Sequence, residues 1–192
     1  MLNPNELLAN HTMELIPFLQ NFAVGVSGLF VVMWFNIFFL RRIVVYYEIN
    51  ARIHLIKDQF NRVFLTYVLA ITFLMLVQVL SIFVWGAYIR ILGLIDTTYH
   101  ALLFAGSCYT TIGIISDVMP NTWKVQAIFI ALSGLFGLAL STASMLNMAP
   151  LFRKAWYRKH DKAIRAIMHK ANLPIQELDE LEGNLTPADR DR

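Results

Sequence analysis

Tyr109-Thr110-Thr111-Ile112-Gly113-Ile114-Ile115-Ser116-Asp117-Val118-Met119-Pro120 stands between two long charge-free parts of the chain. The stretch is far too short to cross a bilayer as a helix. It follows Asp96–Thr110, a segment of short-helix length, whose start Asp96, Thr97 or Thr98 can cap after Gly93 breaks the preceding helix. A chain that enters here is expected to turn back at Gly113 and reach Asn121 on the side from which it came. Such re-entrant backbone survives in a membrane only where protein or water satisfies its polar groups.

The surroundings make the membrane reading firm. Leu15–Leu40, Val63–Ile89 and Val125–Phe152 contain no Asp, Glu, Lys or Arg. Each exceeds the roughly 20 residues a helix needs to cross the hydrocarbon core. Charged residues make up 15% of the chain, against about 25% in a soluble domain. The expected fold class is an all-α integral membrane protein with three transmembrane helices plus a re-entrant short helix and loop. The first run has no basic residues ahead of it and is followed by Arg41 and Arg42 without a small-residue cleavage pattern, unlike a signal peptide.

Basic residues set the expected orientation. Arg41, Arg42, Arg52, Lys57 and Arg62 crowd the first connection, against Glu48 and Asp58. Arg153, Lys154, Arg158, Lys159, Lys162, Arg165 and Lys170 follow the third run, against Asp161. The first fourteen residues carry only Glu6 and Glu14, and the Arg90–Lys124 region has one basic residue at each end. Positive segments stay cytoplasmic. The N-terminus and the Tyr109–Pro120 loop are therefore expected outside and the C-terminus inside, in the plasma (inner) membrane. Three spans require termini on opposite sides, which agrees.

With that arrangement, Thr110, Thr111, Ile112, Gly113, Asp117 and Pro120 resemble the pore loop of the tetrameric potassium channels, where Thr-Thr-Val-Gly-Tyr-Gly-Asp lines the ion path. The likeness covers Val63 to about Pro150. It departs at Ile114, Ile115 and Ser116, which replace Tyr-Gly and add one residue. The resemblance implies a homotetramer, because one chain supplies a quarter of each ring of oxygens. It implies that Thr111, Ile112, Gly113 and Ile114 bind dehydrated monovalent cations, potassium and also sodium, with the Thr111 hydroxyl at the inner end. Aligned carbonyls need residues of alternating handedness, which Gly113 adopts easily and β-branched neighbours do not. The resemblance also places gating bends at Gly134 and Gly137.

The third run carries Ser133, Gly137, Ser141 and Ser144 at helical spacing, a stripe suited either to lining an aqueous pore or to close helix packing. Gly25, Ser27 and Gly28 form a small patch on the first run. The expected segments are an external arm (1–14) with turn-formers Asn3, Pro4 and Asn5, and an extra transmembrane helix with basic linker (15–62). The pore domain (63–152), a basic cytoplasmic helix (153–173) and an acidic, disordered tail (174–192) follow. The Arg41–Arg62 linker reads as helix, either prolonging the first span or lying on the inner membrane surface. The basic segments suit anionic lipid headgroups. The single cysteine, Cys108, is read as a packing residue. No zinc spacing, nucleophile triad or phosphate loop occurs, so no enzyme, cofactor or nucleic-acid partner is expected. The functional expectation is passive flux of potassium or mixed monovalent cations. The alternative is a non-conducting subunit that keeps the pore fold for assembly with a partner.

Overall fold

A computed structural model describes residues 4–113, 119–120 and 123–171, with side chains from residue 17 onward. Among the described residues the chain is helical, with no strand. The elements are α1 (Pro4–Ile56), α2 (Phe60–Ile91), α3 (Thr98–Tyr109) and α4 (Gln126–Lys170). The expected arm is helical from Pro4, which suits a first helical position because proline lacks only an N–H that has no partner there. The basic linker prolongs the first helix to Ile56. α4 runs unbroken through Pro150 into the basic segment. The acidic tail lies outside the described residues.

Three helical stretches, Pro17–Ile56, Phe60–Ile91 and Gln126–Lys170, are long and apolar enough to cross a membrane, and the most apolar window of each is only 28% buried within the chain. Large apolar side chains such as Trp34, Phe30, Met75 and Leu146 face outward. That surface requires lipid or other protein as its solvent.

The chain divides into two compact units. The first joins residues up to Val44 with Ile71–Ser144, and the second joins Val45–Ala70 with the chain from Met145 onward. The core of the first unit gathers Val32 of α1, Trp85 and Ile89 of α2, Phe104, Ala105, Cys108 and Tyr109 of α3, and Phe129 and Ile130 of α4. The small patch on α1 is used here: Gly25 leaves room for the Phe129 ring and Gly28 for Trp85. In the second unit Tyr47 is buried and its hydroxyl donates to the Met148 carbonyl at 3.2 Å. Tyr67 stacks on Phe152 with ring centroids 4.8 Å apart.

Three of the helices end in the same way. At α1, α2 and α3 the residue two past the last helical one has positive φ: Asp58 (53°), Gly93 (67°) and Thr111 (61°). Each end carries the paired bonds of a Schellman motif, such as Gly93 N–H to Arg90 O and Leu94 N–H to Ile89 O. Gly93 adopts this conformation freely and an aspartate tolerates it. Thr111 is β-branched and does not, so its left-handed conformation is strained.

Candidate functional site

The first unit fixes how α3 runs. Leu102 packs against Gly86, Gly106 faces Ile82, and the Tyr109 hydroxyl donates to Gln78 Oε1 at 2.6 Å. Ascending numbers on α3 meet descending numbers on α2, so α3 runs back along α2. From Gly86 to Gln78 is eight residues of helix, about 12 Å. Tyr109 therefore stands level with the middle of the Val63–Ile89 run, not at its end. α3 is thus a short helix lying antiparallel to α2 and ending level with the middle of that apolar run.

The turn after α3 follows from the Schellman bonds. Thr111 N–H donates to Cys108 O, Ile112 N–H to Ser107 O, and Gly113 N–H also to Ser107 O, each at 2.9–3.0 Å. The Thr110 N–H and hydroxyl both return to Gly106 O, at 3.0 and 2.8 Å. The Thr111 hydroxyl donates to Thr110 O at 2.7 Å. The donors of this turn are thus spent on α3, and what remains to offer is oxygen lone pairs. Thr111 and Gly113 have positive φ while Ile112 between them does not, an alternation of handedness over three residues. The turn is exposed, with Ile112 63% accessible on the single chain. Ile114, the fourth expected filter residue, lies outside the described residues with Ile115, Ser116 and Asp117. Met119 rejoins the buried core.

Beneath Tyr109 lies a cluster of polar side chains from all four helices. Gln78 Nε2 points at Asn36 Oδ1 (3.1 Å), Ser141 Oγ (2.6 Å) and Gly137 O (3.2 Å). Asn36 Nδ2 donates to Ser81 Oγ at 2.9 Å and to Val32 O at 3.0 Å, and Ser81 donates to Val77 O. Asn36 and Ser81 are fully buried. Buried polar groups must be paired, and here an amide serves as hub. The sequence reading missed Gln78, Asn36 and Tyr109 as a set. A signal existed, because Gln78 is the one amide in Val63–Ile89 and polar residues within a span usually face protein or water.

The stripe expected to line a pore makes contacts within the single chain. Ser133 is fully buried, accepts from the Trp85 indole N–H at 2.7 Å and donates to Ile130 O. Gly137 is covered by Gln78 and the Tyr109 hydroxyl. Ser141 is half-buried against Gln78, and Ser144 donates to Leu140 O within α4. Small residues were needed on this stripe because α2 and α3 pack on it. The two glycines read as gating bends have the same use. A Cβ on Gly134 would fall on the Tyr109 carbonyl oxygen, so this glycine lets the end of α3 touch α4. α4 continues as one helix through both positions. Cys108 is buried among core residues, as expected of a packing residue.

No protein-family model, curated protein or solved structure matches the chain.

Proposed function

We propose that the chain is one subunit of a cation-conducting pore of potassium-channel architecture, four copies around an axis, with α1 as an additional helix on each subunit. The observation that carries this reading is the course of α3. It doubles back to the middle of the second apolar run and ends in an exposed turn, Thr110–Gly113, whose donors are already satisfied. Oxygens without competing donors suit a cation. The negative end of the α3 dipole adds a favourable field at the same point. Four such turns would replace part of an ion's hydration shell, with Thr111, Ile112, Gly113 and Ile114 as ligands. Potassium and sodium are the permeant ions. Because Ile114–Ser116 depart from the usual outer filter, discrimination between them is expected to be weak. The N-terminus lies outside and the basic segments face the cytoplasm. With Ser133 and Gly137 used inside the chain, the α4 surface left for an axis is the exposed row Leu135, Leu138 and Thr142.

Purified protein in liposomes should admit thallium, potassium and sodium ions, and native mass spectrometry should return a tetramer. A correctly tetrameric protein that passes no cation under any applied voltage or pH would overturn the reading. That outcome would favour the alternative, a non-conducting subunit holding the fold for assembly. The alternative draws support from Ser133 and Gly137, whose burial removes two small groups from any pore wall.

A further inference from the structure

The second unit contains a feature the pore does not use. Between the start of α2 and the basic half of α4 lies a cavity of about 320 Å³. Its walls are graded. Phe64 and Phe152, the latter held by Tyr67 stacking at 4.8 Å, form an apolar end. Lys159, His160 and Asn61 form a polar end. Trp156 connects the two, its ring tilted against His160 at 4.8 Å between centroids. Lys159 Nζ is held at the rim by a 2.7 Å bond to Asn61 Oδ1. A neighbouring cavity brings Arg62 to the other side of the same Lys159.

The polarity gradient runs the same way as the sequence. Phe64 is the second residue of the Val63–Ile89 run, and Phe152 is the last residue of Val125–Phe152. The apolar end therefore belongs to membrane-spanning chain and the cationic end to the basic segment beyond it. A ligand that satisfies both ends is amphipathic and anionic: an alkyl chain against aromatic rings, a phosphate ester beside the ammonium of Lys159. The size suits it, since pockets holding small ligands begin at about 300 Å³. Other carboxylates give little competition. Asp58 borders the second cavity but not the first, and Asp161 is engaged by Arg165 at 2.7 Å.

The geometry points to a binding site for one anionic phospholipid at the cytoplasmic end of α2 and α4, with its phosphate on Lys159 and its acyl chain on Phe64, Phe152 and Trp156. The site depends on the chain spanning a membrane and not on conduction, so its failure and the pore's failure are separate results.

The test uses the full chain in detergent, stripped of lipid and titrated separately with dioctanoyl phosphatidylglycerol, dioctanoyl phosphatidylcholine and inorganic phosphate. Occupancy is read by native mass spectrometry and by Trp156 fluorescence, taken as the difference from Trp156→Phe. One bound phosphatidylglycerol is expected, preferred over phosphatidylcholine by about fivefold or more, the weight of one cation near a charged headgroup. Lys159→Gln should erase that preference, Lys159→Arg should restore most of it, and Arg153→Gln, on an exposed position away from the cavity, should leave it intact. Equal binding of the two lipids would overturn the site. So would a preference that survives Lys159→Gln and is lost with Arg153→Gln, which would indicate diffuse surface attraction. Inorganic phosphate binding as tightly as phosphatidylglycerol would refute the lipid and leave a free phosphate anion as the ligand.

Discussion

Replacing Gln78 by leucine removes the hub of the polar cluster at nearly constant volume. The amide of Gln78 has two N–H groups shared among Asn36 Oδ1, Ser141 Oγ and Gly137 O, and its oxygen accepts from the Tyr109 hydroxyl. Three hydrogens are therefore involved, although four contacts lie within range. Hydrogen bonds between membrane helices average about 0.6 kcal/mol each, with a maximum of about 1.7. The expected loss is about 2 kcal/mol, greater if the Tyr109 hydroxyl and Asn36 oxygen find no water. Equilibrium unfolding by dodecyl sulfate titration in mixed micelles, at fixed protein concentration, measures it. A double-mutant cycle with Tyr109→Phe isolates one bond, and a coupling of about 0.6 kcal/mol is expected. A Gln78→Leu protein within 0.3 kcal/mol of wild type, or strict additivity with Tyr109→Phe, would refute the idea that the hub holds α3 in place. Because Tyr109 immediately precedes Thr110 and Thr111, the same variant should also alter ion flux in liposomes if those residues line the path.

Thr111→Gly should stabilise the fold by about 0.5–1 kcal/mol. It relieves about 1–2 kcal/mol of left-handed strain against about 0.5–1 of added glycine entropy, and an unchanged or lowered unfolding midpoint would contradict the positive φ at Thr111. Gly113→Ala meets no atom within 4 Å of its new Cβ, so its cost is the φ penalty alone, about 1–2 kcal/mol. Tetramers should assemble while cation flux is lost, and normal flux would show that Gly113 contributes nothing to the path. Gly134→Ala should destabilise by about 2 kcal/mol, because the new methyl meets backbone that cannot rotate away, at the Tyr109 carbonyl. The dodecyl sulfate titration reads this as well, and a variant as stable as wild type would mean that α3 does not touch α4 there.

The sequence alone determined three helices long and apolar enough to cross a membrane, with a short helix before Thr110. Lengths of charge-free run and the positions of Gly93 and Gly113 are local properties, and a bilayer acts on each span separately. The expectation of opposite-sided termini rests on counting Lys and Arg. Tertiary structure decided the use of each face. Ser133, Gly137, Ser141 and Ser144 have the spacing of a pore wall and equally that of a packing seam. Only the position of Trp85, Gln78 and Tyr109 against α4 assigned Ser133 and Gly137 to packing. The Thr111 conformation was also out of reach, since a β-branched residue is the last choice for a left-handed helix cap. Bonds to Ser107 and Cys108 impose it. The Gln78 hub joins residues 36, 78, 109 and 141, and a sequence read in windows cannot bring them together. Which small or polar residue finds a partner is settled by the helix packed opposite, and that choice belongs to the folded chain.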